Sequence, residues 1–307
     1  MNRKDTLLAI LVTTIWGGNF VAIKLGLDGV PPMLLAALRY AVTAIPAIFF
    51  IRKPAAEWRY TIAYGLTIGF GQFACLFYAM TIGMPAGLAS IILQAQAFFT
   101  AIFAAAILKE SIKGRQMAGF FVAAIGLYFI GARGKTAASS IPLFPLFLTI
   151  LAAAFWGISN IIVRAAAHHT AARGQKLDML SMVAWSSLVP PLPLLALGAM
   201  MGSTQAMAAA IGNLKLVALA SLAYLAYCGT IFGSSKWSGL LAKYEAGKVA
   251  PFSLVTPVAG LVLAMVVLGE RLSASQWLGS GIILLGLVIC NFGLAPFKRL
   301  VGAGVTQ

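Results

Sequence analysis

The sequence predicts an all-α polytopic membrane protein with ten transmembrane helices arranged as two inverted five-helix repeats. Three observations carry that prediction. Hydrophobic residues make up 61% of the 307-residue chain and charged residues only 9%. A soluble domain carries about 25% charged residues, so this chain has too little polar surface to face water. Apolar runs long enough for a bilayer, about 20 residues each, recur ten times between short polar punctuation. The second half of the chain also repeats polar landmarks of the first.

The expected spans lie near 6–25, 33–51, 61–81, 86–108, 116–132, 142–163, 178–199, 216–236, 247–268 and 275–295. The first follows Arg3 and Lys4. No small-residue cleavage site comes after it, and polar Asn19 and Lys24 lie near its end, so a retained helix is expected rather than a signal peptide. The second carries Arg39 near its middle. The third holds Gly65 and Gly69 at GxxxG spacing, a close-packing signal, and then Gln72. The fourth is interrupted by Ser90, Gln94 and Gln96. After the fifth comes GARGKT at 131–136, which ends like a phosphate-binding loop but has Phe129 where the first glycine should stand. The sixth contains Trp156 and Asn160 and leads into a basic stretch, 165–177, read as a solvated loop. His168 and His169 lie there without the HExxH spacing of a zinc site. Pro190, Pro191 and Pro193 break the seventh span, Pro251 and Pro257 the ninth, as kinks or as hinges. A further loop is expected near 200–213. The eighth carries Gly229 and Gly233, again at GxxxG spacing, and is expected to stop at GSSKWSG, leaving Lys236 an ordinary charge beyond its end. If the helix ran on to about Leu241, Lys236 would be intramembrane. The repeats then occupy 1–138 and 139–297, with a cytoplasmic tail at 298–307.

Lys and Arg number 22 against 7 acids, a net charge of +15. In a soluble chain that excess would suggest nucleic acid. Threaded through ten spans with a cytoplasmic N-terminus, the basic residues divide 16 inside to 5 outside, with Arg39 inside a span. The excess is therefore a topology signal that puts both termini in the cytoplasm, and no nucleic-acid partner is expected. Cys75, Cys228 and Cys290 lie in apolar stretches without metal-ligand spacing and read as small buried hydrophobes. No cofactor or metal site is expected.

An ungapped shift of 160 superposes Ala86, Gly87, Glu110, Gln116, Gly119 and Gly126 on Ala246, Gly247, Glu270, Gln276, Gly279 and Gly286. An offset of 140 brings Trp16-Gly17 onto Trp156-Gly157 and Lys24 onto Arg164. Five helices per half is an odd number, so the halves must cross the membrane in opposite senses. Inverted repeats are a recurring plan of secondary transporters, with the substrate site at the repeat interface.

Few polar residues remain at depth, and they are the candidate substrate site. Asn19 follows Trp16 by three residues and Asn160 follows Trp156 by four, so each pair shares a helix face. Both amides either line a cavity or join helices. Ser90 and Gln94 share a face at i, i+4. Gln96 points about 200° from Gln94 on a regular helix, which makes it a packing contact first and a binding residue second. Gln72 stands beside Gly69 and Gly71. A central Arg39 costs about 2.5–3.5 kcal/mol on insertion scales, so it either meets a substrate carboxylate or helix dipole, or snorkels outward. Lys236 completes the set. None of the seven acids lies at mid-depth. Proton or ion coupling would then use helix-end acids or the substrate's own protonation. Amides, one serine and an arginine supply no catalytic dyad, so a transporter rather than an enzyme is expected.

The segments TTIWGGNFVAIKLGL, LLAALRYAVTAIPAIFF, MPAGLASIILQAQAFFTAIFAAAILKE and KVAPFSLVTPVAGLVLAMVVLGERL resemble the EamA branch of the drug/metabolite transporter superfamily over nearly the whole chain. PAGLAS…LQAQAFFT is closest to the O-acetylserine/cysteine exporters of that branch. GSSKWSG departs from them by its Lys236. The resemblance implies export of a small-molecule substrate across the bacterial inner membrane, first of all amino-acid metabolites such as cysteine and O-acetylserine. Another solute class of the family, an aromatic amino acid, a purine or a drug cation, is the alternative. The resemblance also implies a central cavity lined by helices 1–4 and 6–9, with helices 5 and 10 peripheral.

Overall fold

A computed structural model of the protein describes residues 1–131 and 141–292. The repeat boundary at 138/139, the tail 298–307, Arg133, Lys135, Lys298, Arg299 and all of GARGKT after Gly131 lie outside the described residues. Among the described residues ten helices are long and apolar enough to cross a membrane: α1 (Arg3–Gly26), α2 (Pro32–Phe50), α3 (Trp58–Thr81), α4 (Ala86–Leu108), α5 (Gly114–Gly131), α6 (Leu143–Ala172), α7 (Met179–Met200), α8 (Leu216–Lys243), α9 (Pro251–Leu268) and α10 (Ala274–Phe292). A short helix, Thr204–Gly212, occupies the connection expected to be a loop before α8.

Helix ends follow local chemistry. Asn2 caps α1 by accepting from the Asp5 N–H, and Asp178 caps α7 by accepting from Leu180 and Ser181. The prolines after Ser186 split α7 into Met179–Ser186 and Pro191–Met200, because proline supplies no N–H to the helix ladder. Two expectations need correction. The stretch after Arg164 is helical to Ala172, so His168 and His169 lie on α6 rather than in a loop. Its RAAAHHTAA composition has high helix propensity, and Ala166 packs into a buried cluster with Tyr64 and Met182. Nor does α8 stop at Lys236; it runs to Lys243. The Gly/Ser-rich segment is held helical by packing, with Gly233 so close to Trp16 that a Cβ would stand 2.5 Å from the indole nitrogen.

The helices pair in matched sets. α1 packs on α9 as α6 packs on α4, and α5 pairs with α10. Glycines make the correspondence specific. Gly17 approaches Ala259 and Gly260, while Gly157 approaches Phe99 and Thr100, the same partners under the 140 and 160 offsets. Gly119 meets Gly286 and Gly126 meets Gly279, so numbers rise along α5 as they fall along α10 and the two run antiparallel. Gly119 thus meets the counterpart of Gly126, and Gly126 the counterpart of Gly119, the pattern of a two-fold contact. Irregular turns recur at equivalent places too. π-helical segments span Gly65–Gln72 in α3 and Tyr224–Phe232 in α8. 3₁₀ turns span Leu93–Ala95 in α4 and Ala250–Leu254 at the start of α9. α4 and α9 even end alike, with left-handed residues at Lys109 and Gly269.

Between the helices lies an apolar core in which Leu34, Leu35, Phe77, Leu88 and Ile91 are fully buried. Phe50, Leu192, Met200, Leu216 and Val266 point outward and are largely exposed. Such an apolar exterior is the surface a lipid bilayer covers.

Candidate functional site

The eight helices α1–α4 and α6–α9 surround a central cavity of about 510 Å³, to which α5 and α10 contribute none of the described residues. Trp16, Asn19, Arg39, Gln72, Ser90, Gln94, Gln96 and Asn160 all line it. Lys236 does not: it is exposed, and its ammonium stands 5.8 Å from the Phe232 ring centroid. The turn of α8 that carries it presents Ser234, Trp237, Ser238 and Leu241 to the cavity instead.

The irregular turns put the polar groups there. Across the 3₁₀ turn Leu93–Ala95 each residue advances about 120° rather than 100°, which narrows the angle between Gln94 and Gln96. Both therefore reach the lining, where a regular helix would set them nearly opposite. The π segment of α3 ends on Gln72, and that of α8 contains Gly229 and Thr230. π turns recur at functional sites because the extra residue leaves carbonyls and side chains out of register with the helix ladder.

The lining groups divide by how well they are satisfied. Asn160 donates to Gln96 Oε1 at 2.8 Å and to Thr100 Oγ1 at 3.0 Å, joining α6 to α4. Ser90 Oγ lies 2.6 Å from the Gly87 carbonyl and 3.2 Å from that of Pro257. Trp16 donates from its indole nitrogen to the Gly229 carbonyl at 2.8 Å and packs against Trp237, with ring centroids 5.2 Å apart and the planes tilted by 56°. Three residues remain unsatisfied. Arg39, 5% exposed, donates from Nη2 to Thr230 Oγ1 at 3.3 Å. Its Nε and Nη1 are buried without a partner, as are Asn19 Oδ1 and Gln72 Oε1. Arg39 thus faces inward; its guanidinium lies 4.1 Å from the Phe73 ring centroid and 5.6 Å from that of Tyr40.

Sequence reasoning missed Tyr40, Phe73, Thr230, Trp237 and the paired Ser186-Ser187. Thr230 sits inside the GxxxG segment of α8, and its neighbour Gly229 is where Asn19 packs: a Cβ there would stand 2.4 Å from Asn19 Oδ1. Small residues beside one hydroxyl were the available signal.

The two ends of the bundle differ. On the face where α1 begins, the lining reaches Met179 of α7 and Leu241 of α8. On the opposite face Glu270 accepts from the N–H groups of Ala86 at 2.6 Å and Gly87 at 2.9 Å, at the start of α4. Lys24 there donates to the Met80 carbonyl at 2.8 Å. Glu110, the counterpart of Glu270, instead forms an ion pair with Arg164, both about half exposed.

The sequence signature of the EamA-like transporter family matches residues 4–132 and 143–292. A probable amino-acid metabolite efflux pump of Salmonella typhimurium is 42% identical over 293 residues, covering 95% of this chain and 96% of that protein. One of Escherichia coli is 40% identical over 304 residues, covering 99% and 100%. A probable terminal-alkyne amino-acid exporter of Streptantibioticus cattleyicolor is 28% identical over 300 residues, covering 95% of each chain. A protein of known crystal structure, 16% identical, superposes over 100% of this chain and 99% of its own with a TM-score of 0.58, a likeness of fold.

Proposed function

This chain belongs to the EamA-like transporter family, and from that premise we propose that it exports small amino-acid metabolites of the cysteine and O-acetylserine type across the inner membrane by alternating access. The observation that carries this reading is the central cavity: enclosed by both halves of the chain, lined by amides and hydroxyls, and holding an inward-facing Arg39. Relatives that cover nearly the whole chain carry amino-acid names, and a metabolite pump and a terminal-alkyne exporter have the amino-acid part in common.

The 16-to-5 division of basic residues supports a cytoplasmic placement of the face where α1 begins. The cavity lining that reaches Met179 and Leu241 then marks the entry side, and the Glu270 contact with Ala86 and Gly87 closes the exit side. Rocking the two repeats about the cavity would exchange those roles. The acids stand at helix ends, so any proton or ion coupling acts there or on the solute itself.

Proteoliposomes loaded with labelled cysteine are expected to lose label faster than protein-free vesicles. They should also show trans-stimulation by external cysteine, which an open pore does not. Absence of flux for every amino acid tried sinks the reading. A second reading, an aromatic amino acid as solute, is favoured by the rings of Trp16, Tyr40, Phe73, Trp156 and Trp237 in the lining. Faster efflux of phenylalanine or tryptophan than of cysteine would select it.

A further inference from the structure

The unsatisfied groups of the cavity are one guanidinium with two free donor nitrogens and two carbonyl oxygens without a donor. Among the described residues no Asp or Glu lines the cavity and no carboxylate forms an ion pair with Arg39. A buried cation without a counter-charge is unfavourable, and ionisable groups kept at membrane depth mark substrate or ion paths. The Phe73 and Tyr40 rings lie against the guanidinium, and its Nε and Nη1 donors are left for an anion. A carboxylate is the anion such donors suit, because its oxygens accept charge-assisted bonds from either nitrogen. Amide oxygens accept but carry no charge, and an ammonium brings three donors that suit them.

The three residues belong to one neighbourhood. Asn19 packs on Gly229, the next residue, Thr230, bonds Arg39, and Phe73 over the guanidinium is the chain neighbour of Gln72. Arg39 is 5% exposed and Gln72 3%, while Asn19 is half-buried with its Oδ1 fully buried.

We propose that these residues form a head-group site for zwitterionic α-amino acids, in which Arg39 takes the carboxylate and Asn19 Oδ1 and Gln72 Oε1 take the ammonium. The proposal rests on the export reading above and deepens it by assigning what the cavity recognises. The side chain of the solute then projects toward the aromatic and hydroxyl lining, so selection acts on the head group more than on the side chain. With Arg39 as the fixed charge and no acid to balance it, a bare amine is repelled.

Reconstituted wild-type protein is tested with labelled L-cysteine, cysteamine, which lacks the carboxylate, and N-acetyl-L-cysteine, which lacks the ammonium, under reducing conditions. Cysteine efflux is expected to exceed that of cysteamine at least tenfold and that of the N-acetyl compound severalfold. In Arg39→Gln, cysteine flux should fall at least tenfold while cysteamine flux does not fall. Arg39→Lys keeps the charge but not the spread of guanidinium donors, and should lie between. Equal wild-type flux of all three compounds overturns the head-group assignment and leaves export standing. Rejection of cysteamine alone overturns the roles of Asn19 and Gln72. Flux of none of the three, nor of any other amino acid, overturns the export reading itself. These comparisons use the wild-type chain, so a misfolded variant does not shelter the proposal.

Discussion

Asn19 and Asn160 follow the tryptophans of equivalent helices, yet only one of them is held. Asn160 spends both donors on Gln96 and Thr100, whereas Asn19 Oδ1 has no donor at all. Removing them should therefore have opposite signatures. Asn160→Ala breaks an interhelical link worth about 0.6–1.7 kcal/mol in a membrane, and the loss should appear in denaturant unfolding in mixed micelles. Asn19→Ala deletes an unpaired acceptor, so unfolding should not move while cysteine flux falls severalfold. The reverse pattern would show that the two amides have been given each other's roles. At this scale the residue types were legible: carboxamides, a serine and an arginine stand out in an apolar chain. Their partners were not, because periodicity gives the azimuth of a side chain and not which helix arrives opposite it.

Helix existence was legible throughout, since each span needs only a long apolar run. Limits were less so, for identifiable reasons. Arg164–Ala172 looked polar enough for a loop, but its alanines favour helix and Ala166 and Thr170 are buried. GSSKWSG looked like a stop, but Gly233 is required by the close approach of Trp16. A regular helix sets Gln94 and Gln96 on different faces, a geometry that the 3₁₀ turn at Leu93–Ala95 does not obey. The seam between α5 and α10 is the element-level feature most open to test. At Gly119 and Gly126 a Cβ would stand 2.5 and 2.6 Å from the carbonyl oxygens of Gly286 and Gly279, and backbone cannot step aside as a side chain can. Gly119→Val and Gly126→Val should each cost about 1–3 kcal/mol, the range for overpacking, in the same micellar unfolding measurement. Gly114→Val is the control, because a Cβ there meets nothing within 4 Å. If all three variants unfold alike, the seam is not held by its glycines.

The molecule as a whole is matched in its helices and unequal in its ends, and the proposed alternating access would exchange that inequality. Glu270 sits on the N–H groups of Ala86 and Gly87. Under the same 160-residue correspondence Glu110 would sit on those of Ala246 and Gly247, but it pairs with Arg164. One carboxylate therefore closes a helix start while its twin is engaged elsewhere. A bundle with two related arrangements would, in the other one, release Glu270 and seat Glu110. Glu270→Gln weakens the closed end, since an amide oxygen is a poorer acceptor than a carboxylate. Glu110→Gln weakens the end that is already parted. Leu76 reports on the difference: it lines the cavity toward the Glu270 face and is 1% exposed. In a background without Cys75, Cys228 and Cys290, a membrane-impermeant maleimide applied to that face should label Leu76→Cys slowly. Adding Glu270→Gln should raise the labelling rate at least threefold, and adding Glu110→Gln should not raise it. Equal rates in the two double variants would mean that Glu270 does not hold that face shut. The inequality would then have to lie in the core packing around Leu76, where Leu→Ala substitutions at neighbouring positions would move the rate and neither carboxylate would.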